Sequence, residues 1–181
     1  QRRLASLHEL IDDLLDLAAG KADMAQVTPR RVDLRAAIGD VVERLRPVAA
    51  GKGLALEFEP PAGPLEVFCD PADLDRMAVN LVGNAIKYTA RGRVRVALAG
   101  DDARVRLEVA DTGIGIPRDA LPHLFHEFYR ASNAKAAGES GTGLGLAIVK
   151  LLVTRYGGEI TVDSEEGRGT TMVVDLPAAP P

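Results

Sequence analysis

Asn80-Leu81-Val82-Gly83-Asn84-Ala85-Ile86-Lys87-Tyr88 closes a stretch, starting at Pro71, that reads as one amphipathic helix. Asn80 and Asn84 are four residues apart and Lys87 follows three later, so two amides and an ammonium share a helix face. Asn is a mediocre helix former, and these two are set among the core-type residues Leu81, Val82, Ala85 and Ile86. An amide oxygen is a hard, neutral ligand that suits Mg²⁺, an ion that keeps waters and substrate phosphates in its shell. Lys87 can meet phosphate as a point charge, and Tyr88 adds a hydroxyl for a sugar or phosphate. Asp70 is the expected N-cap, with Pro71 at the first helical position.

Three glycine-bearing motifs follow in order. Asp111-Thr112-Gly113-Ile114-Gly115-Ile116-Pro117 ends an alternating strand, Val105-x-Leu107-x-Val109. A carboxylate only accepts hydrogen bonds, so Asp111 suits an amino-group donor such as adenine's exocyclic amine. Gly113 and Gly115 let backbone approach a flat ring. Gly141-Thr142-Gly143-Leu144-Gly145-Leu146 runs straight into a helix, where unpaired N–H groups and the dipole favour an anion. Gly167-Arg168-Gly169-Thr170 reads first as a hairpin turn. Asp-Thr-Gly also occurs in aspartic proteases, but that reading leaves the other motifs unexplained. The Gly141 run does not follow a strand, against a dinucleotide-binding turn, and the chain has no Gly-x-x-x-x-Gly-Lys-Ser/Thr loop.

The rest of the chain is that of a globular protein. Its 181 residues are 46% hydrophobic and 27% charged, enough for one domain plus an appendage. A net charge of −4 argues against nonspecific nucleic-acid binding, and no apolar run approaches bilayer length. Cys69 is the single cysteine, so no internal disulfide forms, and it reads as a small core residue. Leu34 to Ala50 is expected to be helical, with Pro47 kinking or ending it. Leu54 to Phe58 and Leu65 to Cys69 alternate as strands around a turn of Pro60, Pro61, Gly63 and Pro64. Val94-x-Val96-x-Leu98 pairs with the Val105 strand through a turn at Gly100 to Asp102. Residues 118–128 read as short helical turns, 129–142 as a mobile loop, Leu144 to Tyr156 as a helix, and Glu159 to Ser164 and Thr170 to Leu176 as the last strands. Residues 178–181 are expected to be a frayed tail.

Through these motifs, residues 31–177 closely resemble the catalytic ATP-binding domain of bacterial sensor histidine kinases, in the superfamily shared with gyrase-type ATPases and Hsp90-type chaperones. Asn80 to Tyr88 is similar to the family's N box, Asp111 to Pro117 and Gly141 to Leu146 to its first two glycine boxes, Phe125-His126-Glu127-Phe128-Tyr129-Arg130 to its phenylalanine box, and Gly167 to Thr170 to its third glycine box. The resemblance implies an α+β fold, a two-layer sandwich with a mixed sheet that binds ATP beneath a lid at about 129–142. It implies Asn84 as the Mg²⁺ ligand with Asn80 near the metal and phosphates, and Lys87 and Tyr88 on phosphate or ribose. Asp111 would take the adenine amine, in a pocket shaped by Gly113 and Gly115. Arg130 would approach the phosphates from the lid, and Gly141, Thr142, Gly143, Leu144 and Gly145 would line the triphosphate path. Phe125 and Phe128 would anchor the lid's base, and Gly169 and Thr170 would close the far side. Asn80 stands where the gyrase-like and Hsp90-like branches carry a glutamate that activates water, which implies slow hydrolysis.

Residues 1–29 are expected to be a separate element, the C-terminal helix of a dimerisation and phosphotransfer bundle plus a linker, ahead of the catalytic domain at 30–177. Leu4, Leu7, Ile11, Leu14 and Ala18 have the spacing of a bundle seam. His8-Glu9 is not followed by Arg-Thr-Pro, so His8 reads as a surface residue and the phosphoacceptor histidine is expected upstream of a chain that opens, at Gln1, in mid-helix pattern. The family implies a homodimer, a response regulator as partner, and a cytoplasmic position, often in a membrane-anchored parent. An anti-sigma-type serine kinase and a nucleotide-sensing module without phosphotransfer are the alternatives; the bundle-like helix and the phenylalanine box argue against the first.

Overall fold

The structure, a computed structural model, describes residues 28–139 and 141–180; the helix expected at 2–19, with His8, lies outside them. The elements run β1 (Arg30–Asp33), α1 (Leu34–Gly51), β2 (Ala55–Glu59), β3 (Glu66–Cys69), α2 (Pro71–Tyr88), β4 (Arg93–Gly100), β5 (Arg104–Asp111), a 3₁₀ turn (Leu121–His123), α3 (Ser132–Ala136), α4 (Gly145–Arg155), β6 (Glu159–Glu165) and β7 (Gly169–Pro177). Five strands form one mixed sheet in the order β2-β4-β5-β7-β6. Only β2 and β4 are parallel in it. The result is the expected α+β sandwich.

Alternation builds the core. Val94, Val96 and Leu98 on β4, Val105, Leu107 and Val109 on β5, and Met172, Val174 and Leu176 on β7 are all buried, and their neighbours in sequence face away. Against them α2 sets Leu74, Met77, Ala78, Leu81, Val82, Ala85 and Ile86, stepping by three and four. Leu34, Ile38, Val41 and Val42 of α1 and Ile148, Val149, Leu152 and Val153 of α4 join the same cluster. Each Val, Leu, Ile or Met side chain among them contributes about 1.5–3 kcal/mol when fully buried. Cys69 is part of this core, and burial pushes its thiol up to about 12.

Local chemistry sets the helix ends. Asp33 caps α1 by accepting from Arg35 N at 2.9 Å, and Asp70 caps α2 by accepting from Ala72 N at 2.9 Å. At the other end of α2, Lys52 Nζ donates to Ile86 O at 2.9 Å and Lys87 O at 2.7 Å, satisfying carbonyls that the helix leaves unpaired.

Four expectations change. Pro47 does not end α1, which runs on to Gly51. Pro47 is exposed, so the Glu43 carbonyl that it cannot bond faces water. The strands on either side of Pro60 to Pro64 do not pair with each other: β2 joins β4, while β3 pairs with β1, a strand that the sequence reading missed because Arg30-Arg31-Val32-Asp33 has little apolar alternation. Residues 129–142 are not wholly irregular, because α3 forms there with Ala131 and Ala134 buried. The tail is not frayed over 178–180. Ala178 N donates to Ala103 O at 3.0 Å, Ala179 N donates to Glu66 O at 2.8 Å, and Arg31 reaches Pro180 O.

Candidate functional site

α2 and the end of β5 make two walls of one cleft, with a volume of about 160 Å³. From α2 come Asn80, Asn84, Lys87 and Tyr88, and Asp111 stands where β5 ends. Leu81, Ala85, Val109 and Met172 give the cleft an apolar floor. The third wall is loop: Ile114 to Ile116, Tyr129 to Ala131, and Gly141 to Gly143, with Gly145 at the start of α4. Thr170 closes one side. Twelve of the fourteen site residues expected from sequence therefore share one cavity.

The two exceptions act from behind it. Gly113 does not line the cleft; its N–H donates to Asp111 Oδ1 at 2.7 Å, and a Cβ on it would come within 2.4 Å of Tyr88 O. Leu144 is fully buried in the core, because an apolar residue at the N-terminus of α4 turns inward. Its N–H instead bonds the Thr142 hydroxyl at 3.2 Å, which fixes the glycine run at the helix start.

Asp111 is the electrostatic centre. Burial pushes its carboxyl above the usual carboxylate range, while the N–H groups of Gly113 and Thr170 and the Thr89 hydroxyl act in the other direction by bonding the charged form. Thr89 and Thr170 are the two buried polar side chains among the described residues, and both flank this carboxylate. Thr89, just past the expected motif, was missed. Its Oγ1 lies 2.7 Å from Ala85 O, and nothing in its sequence context distinguishes a buried threonine from a solvated one.

The phosphate-type groups lie along α2. Asn80 Nδ2 bonds Arg76 O at 3.0 Å, and its Oδ1 lies so close to Gly145 that a Cβ there would sit 2.4 Å away. Lys87 Nζ rests 5.5 Å from the Tyr88 ring centre and against Gly141, where a Cβ would fall 2.8 Å from it. Arg130 lines the cleft but donates to Glu139 O, binding the loop to itself. Asn133, unforeseen because its segment read as irregular, donates from Nδ2 to Gly115 O at 2.9 Å and joins α3 to the loop after Asp111. Of the two phenylalanines expected at the lid's base, Phe125 packs on the core, whereas Phe128 is 58% exposed with φ +61°.

This cleft lies in a segment with known relatives. The family model for the histidine kinase-, DNA gyrase B-, and HSP90-like ATPase matches residues 69–180, well over half the chain. The chain belongs to this ATPase family. Within the family its relatives are sensor histidine kinases. The histidine protein kinase DivJ of Caulobacter vibrioides is 37% identical over 172 residues, covering 94% of this chain and 29% of DivJ. Full-length ShkA, crystallised in complex with AMPPNP, superposes with a TM-score of 0.84 at 31% identity over 97% of this chain and 36% of ShkA. The mycobacterial sensor histidine kinase MprB gives a TM-score of 0.72 at 34% identity, over 84% of this chain and 100% of the MprB chain. The chain thus spans under a third of the length of DivJ. Among the described residues of this ATPase-family chain, no helix is long and apolar enough to cross a membrane.

Proposed function

We propose that this chain is the catalytic part of a sensor histidine kinase and that its cleft holds Mg·ATP. The carrying observation is that the α2 amides, Lys87 and Asp111, 31 positions from Asn80 in sequence, line the same cleft. Asp111 accepts from the adenine amine while Gly113, Thr89 and Thr170 hold its charge. Gly115 shapes the base pocket, and Lys87, Tyr88, Arg130, Thr142 and the glycines at 141, 143 and 145 border the triphosphate.

Magnesium fits the donor set. Among the described residues no group of three or more His, Cys, Asp or Glu side chains forms a cage for a metal. Mg²⁺ characteristically takes one or two protein oxygens and completes its shell with phosphates and water. Asn84 is the ligand in this reading, with Asn80 beside it; the ion's chemistry there is charge neutralisation on the phosphates. The protein's own work is positioning: the γ-phosphoryl group is presented to the imidazole of a histidine on a helical bundle, for relay to a response-regulator aspartate. The parent protein dimerises through that bundle, and this part of it faces the cytoplasm. Asn80 cannot serve as a general base toward water, so hydrolysis without an acceptor is slow.

The test adds labelled ATP to the chain together with a bundle carrying an acceptor histidine. Acid-labile label on that bundle is the expected result. Acid-stable phosphoserine, or ATP turnover on the order of 10 per second without an acceptor, would refute the kinase reading. Asp111→Ala removes a hydrogen bond to a charged group worth roughly 1.5–3 kcal/mol, so calorimetry should show ADP affinity about tenfold weaker or worse.

A further inference from the structure

Ser164 carries a hydroxyl that the proposed phosphotransfer does not use. It lies on β6 directly opposite Thr170 of β7 in the strand register. Its Oγ accepts from Ile116 N at 2.9 Å and lies 2.9 Å from Gly169 O and 2.9 Å from Thr170 Oγ1. One side chain therefore touches the loop after Asp111, the close-packed Gly169 and a wall residue of the cleft.

A serine hydroxyl has a single proton. If that proton goes to Gly169 O, Thr170 must donate to Ser164, and all three short contacts become hydrogen bonds. If it goes to Thr170 Oγ1, the contact to Gly169 O is lost. The first arrangement satisfies more of a group of partly buried polar atoms, and leaving such groups unsatisfied is costly. With its proton committed to Ser164, Thr170 Oγ1 can only accept from the cleft side.

We propose that Ser164 is a positioning residue for base selection: by taking the Thr170 proton it makes Thr170 an acceptor beside Asp111. That end of the cleft is then acceptor-only. A base edge with an exocyclic amine is matched there, and an edge with a carbonyl oxygen at the same place is repelled. This rests on the adenine-nucleotide reading above.

The experiment compares ADP with IDP, which replaces the amine by a carbonyl and the N1 acceptor by an N1–H, and with 1-methyl-IDP, which keeps the carbonyl but has no N1–H, so that an effect at the 6-position is told apart from one at N1. Calorimetry is done on the full chain and its variants. The unaltered chain should prefer ADP. Ser164→Ala releases the Thr170 proton to meet the carbonyl of IDP, so the ADP/IDP affinity ratio should fall about fivefold or more. A purely structural loss would weaken both ligands alike and leave the ratio in place. Ser164→Thr retains the hydroxyl and should restore the ratio. Thr170→Val gives an independent sign that does not need Ser164→Ala to fold. If Thr170 is an acceptor, its removal improves IDP relative to ADP; if it is a donor, its removal worsens IDP further. An unchanged ratio in Ser164→Ala, or relative loss of IDP in Thr170→Val, overturns the proposal and leaves the nucleotide site standing. No ADP binding by the unaltered chain would instead sink the nucleotide reading itself.

Discussion

Asp111 is held where burial opposes its charge and the N–H groups of Gly113 and Thr170 support it, together with the Thr89 hydroxyl, whose single proton Ala85 O also accepts. A carboxyl raised above its ordinary value is protonated earlier as pH falls, and only the ionised form offers a full acceptor to an amine. Adenine-nucleotide affinity should therefore be complete above the raised value and decline as pH drops through it. Thr89→Val removes one supporting hydroxyl at almost constant volume, so Asp111 moves further up. Two consequences follow at this position: the acid-side decline of ADP binding shifts toward neutral pH, and affinity at pH 7 falls about three- to tenfold. Calorimetric titrations across pH check both, with the phosphate titration of ADP common to the two proteins. An acid limb that does not move would show that Thr89 bonds only Ala85 O.

At the scale of elements, the β6–β7 hairpin buttresses the loop that follows Asp111. Gly167 N donates to Ile114 O at 2.8 Å, and Ser164 receives Ile116 N. Gly169 passes so close to β5 that a Cβ would lie 2.0 Å from Asp111 O, at a φ of +111°. Gly167 also has a positive φ, +81°, but nothing lies within 4 Å of its Cβ position. The two glycines of one motif thus separate by mechanism. Gly167→Ala meets only backbone strain, about 1–2 kcal/mol in urea unfolding, with ADP binding retained. Gly169→Ala adds a backbone clash that cannot be relieved by rotating a side chain, so it should cost about 3 kcal/mol or more and abolish ADP binding. Equal costs in the two variants would contradict the observed packing.

Across the whole molecule, the helical layer is closed far from the cleft by a polar clasp. Arg155 at the end of α4 donates to Asp73 Oδ2 at 2.8 Å, and the Tyr156 hydroxyl donates to the same oxygen at 2.5 Å. Both ion-pair side chains are little exposed, at 11% and 14%. Tyr156 OH also accepts from Asp70 N at 3.2 Å, and Asp70 in turn accepts from Thr28 N at 3.1 Å, so the clasp reaches Thr28, ahead of β1. Removing one member strands the others in a low-dielectric place. Asp73→Ala should lower stability by about 3–5 kcal/mol in chemical denaturation while the ADP affinity of the folded fraction stays within about twofold. A loss under about 1 kcal/mol would mean that water replaces the clasp freely.

The sequence by itself determined the elements with a strong period and the motifs with rigid local chemistry. The α2 stripe, the alternating β4, β5 and β7 strands, the Asp70 cap and the order of the glycine runs are all written in nearest-neighbour patterns, which fix backbone and face without any distant contact. Twelve residues that line the cleft were expected from the motifs and from the family resemblance that those motifs carry. Tertiary structure alone decided which strand β3 joins, that Leu144 turns into the core, that Phe128 is left in solvent, and that Thr89, Asn133 and Ser164 bond into the site. Those outcomes depend on groups brought together from tens of residues away. A single threonine or serine carries no periodic signal, so only the packed arrangement reveals where its proton goes.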